Sequence, residues 1–249
     1  MRRATGVRVV AEDLELRTGE GTVFSGVGLE AAPGSLTAVA GDSGSGRTAL
    51  LLTLAGRMRP TGGRLLVDGH PLPRRARKVR GIAALGLSEG VNDLDERLRV
   101  AEHLTERMLL RFRPAPKSVV APTLKEVGLG DLDTRMLAKD LTGLERLRLG
   151  VALALLEEPR LLLVDDADDG LTDEHRREFW GTLRALADTG LTVVAACGDP
   201  AGPPDGDTAE DTTEHTAVVR LRRPPRARRT RPGRKRALHL SELFARKEA

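Results

Sequence analysis

Gly41-Asp42-Ser43-Gly44-Ser45-Gly46-Arg47-Thr48 has the residue types and spacing of a loop that cradles phosphate. Glycines let backbone N–H groups approach an anion closely, and a helix starting at the loop's end adds the positive end of its dipole. The loop needs a buried strand before it and a helix after it. Leu36–Ala40 supplies an apolar run for the strand, and Thr48–Ala55 a helical one. Arg47 stands where a phosphate loop carries lysine, so the positive charge is kept on a wider, planar head group. The alternative is a chance glycine-rich turn, which both flanking elements disfavour.

A second segment complements the first. In Leu161-Leu-Leu-Val-Asp165-Asp166 four apolar residues predict a buried strand that delivers an acid to its C-terminal end, where α/β sheets place ligands. Asp165, acting through water, and the hydroxyl of Thr48, acting directly, are the candidates for holding Mg²⁺. Asp166 is the candidate general base for a water attacking a terminal phosphate. Its alternative is a solvated strand-end acid that does no chemistry. Five histidines (70, 103, 175, 215 and 239) show no metal-ligand spacing with each other or with Cys197 and read as surface or structural. Cys197 follows an apolar strand and reads as a small buried hydrophobe.

These residues need a scaffold. Val7–Leu16 and Thr22–Leu29 read as strands, followed by a turn at Ala32-Pro-Gly34, the loop strand and the loop helix. A further strand, Arg64–Val67, ends at the turn Asp68-Gly69, and Gly81–Leu87 is strand-like. From about 88 to 140 the pattern becomes helical (Val100–Leu110, Thr123–Val127), interrupted by Pro114, Pro116 and Pro122, as an inserted helical subdomain would be. Helix and buried strand then alternate: Leu144–Leu156, Leu161–Val164, Asp173–Ala187 and Leu191–Ala196. That alternation predicts an α/β fold with a mainly parallel sheet, preceded by an antiparallel β region. Ala201–Glu214 reads as a loop and Ala217–Leu221 as a last strand.

Charge separates the chain into two parts. Of the net +4, residues 222–249 carry +9 and the preceding 221 residues −5. The domain expected over 1–221 is therefore mildly acidic, with a basic, Pro-containing tail expected to be disordered. The tail's functional reading is an electrostatic contact with anionic lipid or nucleic acid, and its bland reading is a solvated terminus. Leu240, Leu243 and Phe244 share one helical face within it. No apolar run approaches the roughly 20 residues that span a bilayer. A single cysteine and no signal-peptide pattern point to a reducing cytoplasm.

The chain resembles the ATP-binding cassette (ABC) ATPases over about residues 7–221. Besides the loop and Leu161–Asp173, the likeness is carried by Leu54-Ala-Gly-Arg-Met-Arg-Pro-Thr-Gly-Gly63, Val67-Asp-Gly69, Leu98–Leu104 and Leu141-Thr-Gly-Leu-Glu145 with its helix. The resemblance implies ATP and Mg²⁺ as ligands and a separate transmembrane permease as partner. It also implies a second cassette, identical or different, and a peripheral place at the inner face of the membrane. Thr142 and Gly143, at the place of the signature motif, would face the nucleotide held by the other cassette. Five positions depart from the family pattern: Arg47 for lysine, Leu144 for the signature's second glycine, Asp166 for glutamate, Gly198 for histidine, and Thr18 for an adenine-stacking aromatic. Ser88, Glu89 and Gly90 lie where a glutamine is expected. Arg17 is a possible substitute stacking group, and Leu144 is expected to crowd the signature. The departures imply weak nucleotide binding and slow hydrolysis. The alternatives are a regulatory pseudo-ATPase and, less favoured, a soluble nucleic-acid-associated ABC protein.

Overall fold

The computed structural model describes residues 5–110, 117–198 and 216–222. The expected acidic loop, the basic tail with its apolar helical face, His215 and His239 lie outside the described residues.

Two sheets are present among the described residues. β1 (Val9–Thr18) and β2 (Gly21–Ala31) form an antiparallel hairpin, and β1 also pairs antiparallel with β4 (Gly62–Val67), which pairs in turn with β5 (His70–Leu72). The second sheet is parallel throughout, in the order β6-β7-β8-β3-β9. It is built from β6 (Ala83–Leu85), β7 (Leu161–Val164), β8 (Thr192–Cys197), β3 (Leu36–Ala40) and β9 (Thr216–Arg220). This is the expected α/β architecture: a parallel sheet, an antiparallel N-terminal region and covering helices.

All residues of β3, β6, β7 and β8 are buried, as a parallel sheet covered on both faces requires. Their side chains alternate between two cores with the period of a strand. Leu36, Ala38, Ala40, Leu162, Val164, Val193, Ala195 and Cys197 face one; Val39, Leu161, Leu163, Val194 and Ala196 face the other. The first core is covered by residues of α3 (Val100–Leu109), α4 (Lys117–Glu126), α5 (Gly143–Leu155) and α6 (Asp173–Asp188). The second is shared with the antiparallel sheet, α1 (Arg47–Leu54) and Val79 of α2 (Ala76–Arg80). Leu50, Leu51 and Leu54 of α1 are fully buried there. Burying a leucine contributes roughly 1.5–3 kcal/mol. Those three side chains therefore fix the helix that begins at the glycine loop.

Polar ties lock the two sheets at the end opposite that loop. The buried Thr192 hydroxyl donates to the Val7 carbonyl at 2.8 Å and accepts from the Val7 and Gly34 amides. Arg160 bonds the Thr5 and Gly6 carbonyls and pairs with Asp68. Three elements escaped the sequence reading: β5, α2 and a 3-10 turn at Ala138–Asp140 are three, five and three residues long, too short to show a period. Pro122 interrupts nothing. It lies inside α4, where the Thr123 hydroxyl adds a bond to the Val119 carbonyl at 2.9 Å.

Candidate functional site

Parallel strands bring their C-terminal ends to one edge, and this sheet does so in tight register. Ala40 pairs with Cys197, Val164 with Ala195, and Leu85 with Leu163. The loop after β3, the two acids after β7, Ser88 beyond β6 and Gly198 after β8 therefore converge. None of these segments is near another in sequence.

Gly44 and Gly46 both take positive φ, 76° and 93°, in the loop. A Cβ on Gly46 would stand 2.9 Å from the Val23 carbonyl, so the close approach to β2 also demands glycine there. Ser45 is fully buried, and its amide donates to the Asp42 carbonyl, closing the turn. Arg47 and Thr48 open α1, which no side chain among the described residues caps. By contrast α5 and α6 are capped by Thr142 and Thr172. The first-turn amides of α1 are thus left for an anion.

The Thr48 hydroxyl donates to Oδ2 of Asp165 at 2.6 Å, and the Ser88 hydroxyl donates to the same oxygen at 2.7 Å. Asp165 is 2% exposed, and its Oδ1 accepts the Asp166 amide at 3.2 Å. Two hydroxyls and a carboxylate make a hard-oxygen donor set of the kind Mg²⁺ takes beside phosphates. Ser88 was only placed nearby by the sequence. The signal that finds it is topological: β6 runs parallel to β7, so a residue just past its end lies beside the residue just past the end of β7.

Arg47 takes up a different contact from the one its position suggests. Its Nη2 lies 2.9 Å from Oδ1 of Asp166, joining the candidate base to the loop cation. Asp166 has φ of 44°, a left-handed conformation that aspartate tolerates better than most residues. Burial and the neighbouring Asp165 charge hold its carboxyl above the ordinary aspartate range. Arg47 opposes that shift, while Asp169 and Asp168 add to it. A raised pKa means the folded chain holds this proton better than the unfolded chain does. The group's stabilising contribution is then full below the unfolded value of 3.8 and is lost as pH rises through the folded value. Asp166→Asn is therefore expected to raise the melting temperature at pH 7 by about 1–3 °C. The gap should close toward pH 4. A lower melting temperature for the variant at pH 7, with a gap that also closes as the carboxyl is protonated, would show that the Arg47 ion pair dominates instead.

Asp168 also belongs to this edge. Both its oxygens accept the Gly198 amide, at 2.9 and 3.0 Å, tying the segment after β7 to the segment after β8. Thr142 and Gly143 sit elsewhere, exposed at the start of α5. The Thr142 hydroxyl accepts the Glu145 amide and donates to Oε2 of Glu145, while that carboxylate accepts the Thr142 amide. Leu144 does not crowd this end. It is 6% exposed and packs in the core beneath α5, because the first turn of a helix seated on the sheet points that position inward. Arg17 is paired to Glu15 on the exposed surface. His103 is structural, its ring bonded to the Asp95 carbonyl, and no His/Cys/Asp/Glu metal cluster occurs among the described residues.

Comparison with known proteins gives one consistent family. A family model described as ABC transporter matches residues 24–169, more than half of the chain. The Nod factor export ATP-binding protein I of Cupriavidus metallidurans is 31% identical over 179 residues, covering 71% of this chain and 58% of that protein. The daunorubicin resistance ATP-binding protein DrrA3 of Streptomyces coeruleorubidus is 31% identical over 188 residues, covering 75% and 58%. The chain thus spans less than two thirds of the length of these curated relatives. A bacterial ABC transporter cassette solved in dimeric form superposes with a TM-score of 0.66 at 19% identity, covering 87% of this chain and 94% of that one. At that identity the likeness is one of fold.

Proposed function

The chain belongs to the ABC transporter family as an ATP-binding cassette, and we propose that it binds Mg-ATP at Gly41–Thr48 and couples slow hydrolysis to a separate membrane permease. The observation that carries this reading is the convergence of the Thr48 and Ser88 hydroxyls on Asp165, beside an uncapped helix that begins at a glycine loop. Thr48, Asp165 and Ser88 would hold the metal, which when bound neutralises phosphate charge. The loop amides would bind and orient the phosphates, with Arg47 supplying positive charge. Asp166 would take the proton of the attacking water, a role its raised proton affinity favours and its pairing with Arg47 restrains.

The permease would be a separate protein, as membership of the family implies; no helix among the described residues is long and apolar enough to cross a membrane. Export is the direction named for the Nod factor relative, and we carry it to this chain as a proposal. Thr142 and Gly143, exposed at the N-terminus of α5, would meet the nucleotide held by a second cassette. A regulatory, non-hydrolysing reading is favoured by one observation: the candidate base is already engaged by a cation.

Calorimetry of the purified chain should show Mg-ATP binding, and phosphate release should run about 10²–10³-fold below a typical enzyme turnover. Brisk turnover by the chain alone would refute the slow-hydrolysis reading. Absence of ATP binding would refute the nucleotide site itself.

A further inference from the structure

We infer that Gly198 is a positioning residue for Arg47: the side chain missing at position 198 is the room through which the guanidinium reaches Asp166. An ideal Cβ on Gly198 would lie 3.2 Å from Nη1 of Arg47, and 3.8 and 4.0 Å from the Asp168 carboxylate oxygens. The backbone does not itself demand glycine, because Gly198 is absent from the positive-φ positions. What the position demands is space.

Neither backbone is free to retreat. Gly198 follows the fully buried β8, and its amide is held by both oxygens of Asp168. Arg47 opens α1, anchored by Leu50, Leu51 and Leu54. The strands behind them, β3 and β8, are paired through Ala40 and Cys197. The separation of positions 47 and 198 is therefore set by the sheet, and only side-chain size can change how the gap is filled.

Guanidinium chemistry makes that size matter. The head group is a planar fork whose two terminal nitrogens point to different places. Nη2 takes Asp166, and Nη1, on the Gly198 side, is buried with no hydrogen-bond partner among the described residues. A single Cβ at 198 asks the fork to move by a few tenths of an ångström. A branched side chain there forces Nη1 out and rotates Nη2 off Asp166. Lysine ends in one compact ammonium, so it leaves the space above position 198 open and tolerates a side chain there. Residues 47 and 198 are thus interdependent. The nucleotide-affinity consequence rests on the Mg-ATP reading above, whereas the packing consequence does not.

A double-mutant cycle tests this on the full chain with Arg47→Lys, Gly198→Val and the double variant. Two readouts are taken: melting temperature without nucleotide, and ATP affinity by calorimetry. Gly198→Val should weaken ATP binding about fivefold or more with Arg47 present, and less than about twofold in the Arg47→Lys background. The loss of melting temperature should shrink in the same direction. Gly198→Ala should show the same sign at smaller size, and its cycle decides the matter if the valine variants do not fold. Equal effects of the position-198 change in both backgrounds overturn the inference. If none of the four proteins binds ATP, the nucleotide reading falls and the melting cycle alone decides the positioning role.

Discussion

Replacing Asp165 with asparagine is expected to abolish the magnesium dependence of ATP binding while leaving the fold intact. In the native chain, affinity measured in magnesium and in EDTA should differ by about tenfold or more, because a cation held by Asp165 and Thr48 would offset the repulsion between carboxylate and phosphate charges. In Asp165→Asn the two affinities should coincide. The geometry explains why asparagine is the informative change. Oδ2 accepts two hydroxyls, from Thr48 and Ser88, and an amide oxygen can accept both. The charge goes and the two hydroxyl bonds stay, while the Asp166 amide loses its acceptor because the Asn nitrogen takes the place of Oδ1. Asp165→Ala instead strands the two hydroxyls and the Asp166 amide at a site 2% exposed, and should destabilise the protein by about 2–4 kcal/mol. Chemical denaturation of both variants separates the two effects. A magnesium dependence that survives Asp165→Asn would exclude Asp165 as a ligand.

Much of the architecture was legible because parallel strands buried on both faces are written as unbroken apolar runs, of which Leu161–Val164 and Leu36–Ala40 are the plainest. The same runs indicated where the strands end, and so which residues lie at the ligand edge. What could not be read was how side chains meet across that edge. Nothing in the sequence says that Arg47 turns to Asp166, or that Asp168 holds the Gly198 amide, because residues 30 to 119 apart are set by strand order and not by local pattern. Leu144 shows the same limit from the other side. Its identity suggested crowding, but its position in the first turn of α5 sends it into the core. Pro122 misled for a different reason: propensity is a weak prior, and α4 keeps its turn on tertiary packing and a threonine hydroxyl.

Arg47→Lys combined with Asp166→Glu is expected to raise ATP turnover by at least about tenfold, even though it removes a well-formed ion pair. With arginine at 47, the cation and the candidate base satisfy one another, Nη2 on Oδ1 at 2.9 Å. Asp166 is then less available to the water. Lysine concentrates its charge in one ammonium, and glutamate carries the carboxylate one methylene further from the backbone. The single changes should not add up to the double. Arg47→Lys alone leaves a short acid in place. Asp166→Glu alone lengthens the acid toward a guanidinium that still binds it, and puts glutamate at a φ of 44° that aspartate tolerates better. That single variant should therefore lose about 1 kcal/mol of stability and gain no activity. If the double variant turns over no faster than the native chain while still binding Mg-ATP, the ion pair is not what limits hydrolysis. The regulatory, non-hydrolysing reading would then hold.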